Sequence, residues 1–252
     1  MDDSHYIDVF TTLKKTRIDN IFGEGGYVRL VDCLPRMVPQ GRGCDFAIVR
    51  NARVSTGNGI KSIEQDTGLV KRLYKDNHTS PFESVSFVFE ISCPLFVAIH
   101  FIRHRTAKIN MFSQRYASIE KQQKDSIPTK PWYTPSPRLQ SKNNHQGSSI
   151  ETIPPYKQFE LENLIQQVEN HLQEINKLYN QMIEAGMSRE IARYCLPEST
   201  YTKLYFEMDL NNLLKFFRLR CDEDTQYETR IFAQAMRELI KPLLPMLKEF
   251  LV

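Results

Sequence analysis

The stretch from Val85 to Ile102 constrains the fold of this chain more than any other. Apolar side chains alternate with polar ones at its start, which predicts a strand with one buried face; the apolar members are Val85, Phe87, Phe89 and Ile91. A segment with helical spacing follows at once from Pro94, and its apolar positions are Leu95, Ala98, Ile99 and Ile102. We therefore expect a strand that leads straight into a helix whose apolar side is buried.

A basic motif begins where this helix ends. Arg103, His104 and Arg105 stand in a row; seven further residues separate them from Ser113, and Arg115 follows two positions later. Guanidinium groups present a planar fork of donors that matches phosphate and carboxylate, so two of them flanking a histidine are suited to clamp an anion. Composition and spacing alone also allow a solvated basic helix end.

Strand and helix patterns recur along the rest of the chain. Strands are expected at Tyr27 to Cys33 and at Thr202 to Met208, and an amphipathic helix at Asp66 to Lys75. Asp45 is a candidate N-cap for a short helix, and the segment from His78 to Glu83 reads as a tight turn around a proline. These patterns predict an α+β fold with a mixed sheet and long packing helices.

The longest helix is expected to begin at Pro154 and Pro155 and to end at Gly186. Its apolar positions recur at spacings of four and three, which suits packing on another helix; they are Leu161, Ile165, Val168, Leu172, Ile175, Tyr179 and Met182. The partner helix could belong to the same chain or to another subunit, and the sequence does not separate the two possibilities.

Two helices are expected near the end of the chain, after a short one capped by Ser188. Asp209 is a natural N-cap for the first, whose buried stripe is Leu210, Leu213, Leu214 and Phe217. Arg220 falls on the border of that stripe, where an arginine either snorkels to solvent or faces a cleft. The last helix, within residues 226–251, carries Tyr227, Ile231, Ala235 and Leu239 on one face.

Composition sets broad limits on function. A chain of 252 residues with 41% hydrophobic residues can bury a core as one domain or two small ones, and its net charge of +3 is too small to argue for a nucleic-acid surface. Five widely spaced cysteines without a paired motif favour neither disulfides nor zinc, so a reducing, cytoplasmic setting without a bound metal is expected. No apolar run is long enough for a bilayer, so no membrane partner is expected.

Two segments are expected to lie outside the core. Residues 1–26 end in a glycine-rich joint and read as an N-terminal appendage, and residues 121–155 are polar and prolyl and read as a surface loop insertion. Aromatic residues in and beside that loop could stack on a base or a pterin, although a mobile excursion is the simpler interpretation; they are Trp132, Tyr133 and Tyr156.

The basic motif resembles the signature of the flavin-dependent thymidylate synthases, in which Arg-His-Arg is followed after seven residues by Ser. The likeness extends from about Val28 to the helix after Arg220. Four other segments also resemble the family; they are Ala52 to Ser55, His78 to Glu83, Ala192 to Pro197 and Phe216 to Arg220.

The resemblance implies one such domain over residues 27–252, which would convert dUMP to dTMP by reductive methylation. The carbon would come from 5,10-methylenetetrahydrofolate and the reducing equivalents from NADPH through FAD. Related enzymes are homotetramers with active sites between subunits, so the resemblance favours a subunit contact for the long helix.

The resemblance also implies roles for individual residues. Arg220 becomes the leading catalytic residue, since the matching arginine hydrogen-bonds the uracil and favours ionisation at its N3. The residues expected to bind dUMP are His100, Arg103, Met111, Ser113, Gln114, Arg115, Arg193 and Arg220. Those expected to bind FAD are His78, Ser80, Arg103, His104, Arg105, Met111, Asp209, Asn211 and Lys215.

Some positions depart from the family pattern. His100 stands where a glutamine is usual, Lys108 for serine, Met111 for glutamate, Lys215 for asparagine and Asp224 for histidine. The change at Met111 removes a carboxylate close to the substrate, which leaves a catalytically impaired flavin- and nucleotide-binding homologue as a competing hypothesis.

Nucleic-acid binding and cysteine-dependent chemistry are also compatible with the sequence. A basic module that binds nucleic acid would show a steep loss of affinity with added salt. Methylation through a cysteine nucleophile has weaker support, because Cys195 and Cys221 adjoin Arg193 and Arg220 but stand in no matching sequence context.

Overall fold

A computed structural model describes residues 6–22, 25–118, 130–149 and 151–251 of the chain. The strands are β1 (Tyr6–Asp8), β2 (Arg17–Ile21), β3 (Gly26–Leu34), β4 (Met37–Pro39), β5 (Ser86–Pro94), β6 (Lys108–Met111) and β7 (Tyr201–Asp209). The helices are α1 (Phe46–Val54), α2 (Ile63–Lys75), α3 (Leu95–Phe101), α4 (Pro155–Glu184), α5 (Arg189–Ala192), α6 (Leu210–Arg220) and α7 (Tyr227–Ile240). None of these helices is both long and apolar enough to cross a membrane.

A five-stranded sheet in the order β2-β3-β5-β7-β6 forms the centre of the molecule, and β1 pairs with β4 beside it. The α+β prediction is confirmed. The predicted mixed sheet is wrong in one respect, because every described strand pair is antiparallel. The central strand β5 buries Phe87, Phe89 and Ile91 completely, as its alternation predicts.

Residues 6–22 do not form an appendage. Strand β2 is the edge strand of the main sheet and pairs with β3, while Val9 and Ile21 lie in the hydrophobic core. The alternation in this segment is too short and too polar to identify a strand, and only the partner strand β3 specifies it. Gly23 and Glu24, in the predicted glycine-rich joint, lie outside the described residues.

Helix α3 follows β5 directly, as predicted, but its buried face is rotated from the predicted one and shares only Ala98 with it. Ile99 and Ile102 are 37% and 45% exposed, whereas Val97, Ala98 and Phe101 are buried. The Phe101 ring lies 5.8 Å from that of Phe206 and 5.5 Å from that of Phe216, between centroids. The position of the sheet therefore chooses the face, since seven residues make too short a helix for spacing alone to decide.

Helix α4 ends as predicted. Gly186 has φ +87°, and the N–H groups of Gly186 and Met187 donate to the carbonyls of Ile183 and Met182 at 3.0 and 2.9 Å. These paired bonds are those of a Schellman C-cap, which needs a left-handed residue such as glycine. The predicted apolar stripe is only half covered, because Tyr179 is the one buried residue of the helix and Val168 is 55% exposed.

Residues 130–149 are attached to the body of the protein, which corrects the prediction of a free surface loop. Trp132 forms a β-bridge with Thr200, and the N–H of Tyr133 donates to the Ser199 carbonyl at 2.9 Å. Glu169 on α4 accepts hydrogen bonds from Lys130, from Thr134 and from the Trp132 indole. Both aromatic rings are buried, so Trp132 and Tyr133 are not available to stack on a base or pterin. Residues 121–129 and 150 lie outside the described part of the chain.

The helices that frame the site begin and pack largely as predicted. Asp209 caps α6, where its Oδ1 accepts from the N–H of Asn212 at 3.0 Å, and the predicted stripe of α6 is buried. Asp45 precedes α1 but makes no cap bond; its Oδ2 instead accepts from the N–H of Met246 at 2.6 Å. Helix α7 buries a broader face than predicted, which adds Phe232 and Met236.

Candidate functional site

Arg220, at the end of α6, is held by two contacts from the end of α3. Its Nε donates to Nε2 of His104 at 2.9 Å, and its Nη2 donates to the backbone carbonyl of His100 at 3.3 Å. The His104 ring stands edge-on to Phe216, with 4.8 Å between the ring centres. The guanidinium is therefore oriented from one side, and its Nη1 is not used by either contact.

Both histidines of this cluster favour the neutral form. Burial, and secondarily the positive charge of Arg220, lower the pKa of His104 to about 4. The same two causes lower the pKa of His100. A neutral imidazole has one nitrogen with a lone pair, so His104 is able to accept from Arg220 at neutral pH.

Arg220 and His100 face a cleft of about 780 Å³. One wall is the end of α6 with the turn that leads into α7, and the other wall is the segment 138–148. The lining residues are His100, Arg138, Leu139, Gln140, Gln146, Gly147, Ser148, Arg218, Leu219, Arg220, Asp222, Asp224, Thr225, Gln226, Tyr227 and Glu228. Both walls carry charged or polar side chains, and the arginines among them can pair with a phosphate or a carboxylate.

The segment 138–148 is fixed across this cleft by polar contacts. Arg138 forms a short ion pair with the buried Glu228, which also accepts from the hydroxyl of Tyr133 at 3.1 Å. Asn144 donates from Nδ2 to Oδ1 of Asp224 at 3.1 Å. Asp224, one of the departures from the family pattern, is thus engaged with the wall of the cleft.

The second half of the basic motif lies elsewhere on the chain. Strand β6 pairs with β7, which places Met111 opposite Leu204, and Met111 is 40% exposed. Arg115 donates from Nη2 to Oε2 of Glu190 at 3.1 Å, so the motif reaches the short helix that precedes Arg193. Among the described residues, Glu190 forms an exposed ion pair with Arg115 and none with Arg193, although the spacing of Glu190 and Arg193 would allow one.

Several of the predicted flavin-binding residues lie at the opposite end of α6. Ser80 begins a short helical turn that packs against α6, His78 precedes this turn by two residues, and both side chains are exposed. Asn211 on α6 donates to Glu83 of the same turn at 3.4 Å. Asp209 lies there too, but both carboxylate oxygens are bound to Asn212, which gives it a structural task.

The predicted arginines do not surround a single cavity within one chain. Of the four cations Arg103, Arg115, Arg193 and Arg220, only Arg220 lines the large cleft. Arg103 and Arg105 are exposed, and neither forms an ion pair with any described residue. Lys108 is engaged by Glu207 at 2.6 Å, while Lys215 is exposed on α6.

Sequence reasoning missed three residues that shape this site. Arg138, Glu228 and Thr229 contribute to the cleft or support it, and the last two are buried polar side chains. A signal was present, because Glu228 and Thr229 interrupt the apolar face of the final helix. Their partners are 90 and 129 residues away along the chain, so the sequence does not identify them.

Neither cysteine beside an arginine is set up as a nucleophile. Burial raises the pKa of the Cys195 thiol and of the Cys221 thiol. A cysteine that attacks C6 of a pyrimidine needs the opposite shift, toward the thiolate. The structure therefore argues against cysteine-dependent methylation.

Comparison with known proteins gives consistent results. A family model described as "Thymidylate synthase complementing protein" matches residues 37–246. A flavin-dependent thymidylate synthase of Dictyostelium discoideum is 43% identical over 223 residues, which are 87% of this chain and 69% of that protein. The corresponding protein of Wolbachia pipientis wMel is 39% identical over 224 residues, 88% of this chain and 72% of its own.

Solved structures agree with the sequence relatives. The UMP/dUMP methylase PolB from Streptomyces cacaoi, crystallised with 5-Br dUMP, superposes with a TM-score of 0.71 and 26% identity, covering 88% of this chain and 93% of that one. The matched region includes every element that carries the cluster around Arg220. The chain belongs to the flavin-dependent thymidylate synthase family.

Proposed function

We propose that this protein is a flavin-dependent thymidylate synthase that converts dUMP to dTMP. The carbon donor is 5,10-methylenetetrahydrofolate, and NADPH reduces the bound FAD. The observation that carries the proposal is the fixed guanidinium of Arg220 on the wall of a polar cleft, in a chain of this family. The free cysteines among the described residues fit a reducing, cytoplasmic setting.

Arg220 supplies electrostatic activation of the pyrimidine. Carbon 5 of uracil is a weak nucleophile, and it gains electron density when negative charge builds on the ring oxygens and on N3. A guanidinium that is already oriented stabilises that charge without reorganising during the reaction. Nε and Nη2 of Arg220 donate to His104 and to the His100 carbonyl. The N–H groups that these two bonds do not use are the ones we assign to the uracil ring.

The exposed donors of the chain suit a flavin dinucleotide. Arg103 and Arg105 carry positive charge without a described carboxylate partner, and Ser80 and Lys215 add a hydroxyl and an ammonium. These groups match the phosphates and ring oxygens of FAD. His78, His104, Met111 and Asn211 complete the proposed set, while Asp209 supports it through α6. The bound flavin supplies the redox chemistry.

The phosphate of dUMP is assigned to a second set of donors. Ser113, Gln114 and Arg115 follow β6, and the Arg115–Glu190 pair places them beside the turn that carries Arg193. Arg103, Met111 and His100 complete the proposed contacts with the nucleotide. Within one chain, Arg115 and Arg193 do not line the cleft that His100 and Arg220 share, so we expect a second copy to complete the site.

Assembly into a homotetramer would bring such groups together. Helix α4 has 30 residues and buries only Tyr179, which leaves an apolar surface unsatisfied. Its exposed apolar residues include Phe159, Leu164, Val168 and Leu178. A long helix with this surface is suited to pack against a copy of itself or of another helix.

The deciding experiment compares Arg220→Ala with the unchanged protein. Purified protein should be yellow and should oxidise NADPH and form dTMP when dUMP and the folate are present. Arg220→Ala should keep its flavin but lose dTMP formation by about a hundredfold or more. Arg72→Ala, an exposed arginine near the end of α2, serves as the control.

The same assays separate the second candidate function. Met111 is exposed where the family pattern has a carboxylate, which favours a homologue that binds flavin and nucleotide without turnover. Such a protein would be yellow and would bind dUMP but would make no dTMP. Colourless protein that ignores dUMP, or unchanged turnover in Arg220→Ala, would contradict the proposed function.

A further inference from the structure

His100 is held by a buried hydroxyl on a different helix. Thr229, in the first turn of α7, lies with its Oγ1 at 3.2 Å from Nδ1 of His100 at the end of α3. Thr229 is completely buried, whereas His100 is half-buried and lines the cleft beside Arg220. One nitrogen of the imidazole is therefore anchored in the protein.

Which group donates in this hydrogen bond follows from the burial of the Thr229 hydroxyl. A buried O–H has to donate to an acceptor, since an unsatisfied buried donor is costly. Among the described residues, His100 Nδ1 is the sole partner of the Thr229 hydroxyl. Thr229 is thus the donor and Nδ1 the acceptor, which places the ring hydrogen on Nε2.

The neighbouring charge agrees with a neutral ring. Burial and the adjacent Arg220 guanidinium both lower the pKa of His100. A protonated imidazole would also need a hydrogen on Nδ1, and that hydrogen would point at a hydroxyl that has no other described acceptor. Within the described chain, Nε2 of His100 has no hydrogen-bond partner of its own.

We propose that Thr229 is a positioning residue for substrate binding, which fixes the tautomer of His100 so that its Nε2–H is a donor to an acceptor oxygen of dUMP. The inference rests on the proposed function and adds to it a residue outside the signature motif. His100 and Arg220 then offer the nucleotide one neutral and one charged donor. The neutral donor suits an oxygen whose charge changes little during the reaction, so it contributes to binding more than to turnover.

The first test is Thr229→Val, which keeps the shape of the side chain and removes the hydroxyl. We expect the Kd and KM for dUMP to rise about fivefold, the size of one neutral hydrogen bond, with kcat and flavin content unchanged. Thr229→Ser should restore most of the affinity, because it restores the donor. Thr202→Val, another buried threonine to valine change on β7, is the matched control and should leave dUMP binding as it is.

A double-mutant comparison separates positioning from a packing defect. Leucine at position 100 has no nitrogen that could accept from Thr229. In the His100→Leu variant, Thr229→Val should therefore cause no additional loss of dUMP affinity. An equal additional loss in that background would overturn the inference, as would a parallel fall in kcat and flavin content. Unchanged dUMP binding in Thr229→Val alone would overturn it too. Wild-type protein that does not bind dUMP would instead overturn the proposed function, and the inference with it.

Discussion

At the scale of single residues, the site depends on a histidine that stays neutral. His104 accepts a hydrogen bond from Arg220, and an imidazolium has no lone pair with which to do so. Its buried position beside a guanidinium favours the form that accepts. Protonation would place two positive charges next to each other and release the arginine from its orientation.

The depressed pKa of His104 gives a pH dependence of defined sign. An unfolded histidine titrates near 6.5 and the folded one at about 4, so the unfolded state binds more protons between these values. The free energy of unfolding should therefore fall as the pH is lowered from about 6.5 to 4. Urea unfolding at pH 7.5 and at pH 5 measures this change, and His104→Gln should reduce it. An equal pH dependence in both proteins would show that His104 does not titrate as described.

Met111 offers a second prediction about a single side chain. It is exposed on β6 opposite Leu204, so Met111→Glu places a carboxylate in solvent without burying a charge. The variant should fold and keep its activity, and kcat should stay equal or rise. Steady-state formation of dTMP is the measurement, with Met187→Glu, an exposed methionine beyond α4, as the control. Complete loss of activity in Met111→Glu alone would show that this strand is built differently from the family.

The sequence identifies residues whose task is local and misses those with distant partners. Asp209 as an N-cap and Gly186 as a helix end are readable because their partners lie within a few residues. Arg220 stands out at the border of an apolar stripe. The contacts of Glu228 and Thr229 depend on tertiary packing that no local pattern encodes.

At the scale of elements, sheet pairing overrides local spacing. The apolar stripe of α3 predicts one buried face, yet Phe101 packs between rings of the sheet and of α6, and the buried face is rotated away from Ile99 while it keeps Ala98. Strand β5 is correctly predicted because both its length and its alternation are clear. A helix of two turns has too few positions to outweigh one aromatic anchor.

Substitutions at two glycines would measure how tightly the backbone around each of them is packed. A Cβ on Gly43 would lie 2.5 Å from the Leu243 carbonyl oxygen, whereas one on Gly68, inside α2, meets nothing within 4 Å. Gly43→Ala should lower the free energy of unfolding by about 1–3 kcal/mol, because backbone has to move. Gly68→Ala should raise it by about 0.5–1 kcal/mol, because alanine favours the helix. Chemical denaturation checks both, and a similar effect of the two changes would contradict the close packing around Gly43.

At the scale of the whole molecule, a single chain leaves an apolar helix surface exposed to solvent. Helix α4 leaves apolar residues in solvent along most of its length, and the predicted arginines Arg103, Arg115 and Arg193 do not line the cleft that Arg220 lines. Both observations are explained if several copies associate. The spacing of the stripe allowed packing on another subunit or within the chain, and in the single chain most of this stripe is not covered.

A charge on that surface should disrupt the proposed assembly. Val168→Asp places a carboxylate among apolar groups that an interface would bury, so the protein should dissociate and lose bound flavin. Light scattering after size-exclusion chromatography measures the mass. Gln173→Asp, at an exposed polar position of the same helix, is the control. A mass that stays at that of the assembly in Val168→Asp would contradict a role for this surface.

The edge strand β2 has a practical consequence for anyone who shortens this protein. Trimming the chain at residue 26, where the glycines suggest a safe boundary, would remove the partner strand of β3 and expose the part of the core that packs against Val9 and Ile21. An exposed edge strand has unpaired N–H and C=O groups that can pair with strands of other molecules. We therefore expect the shortened protein to aggregate during expression.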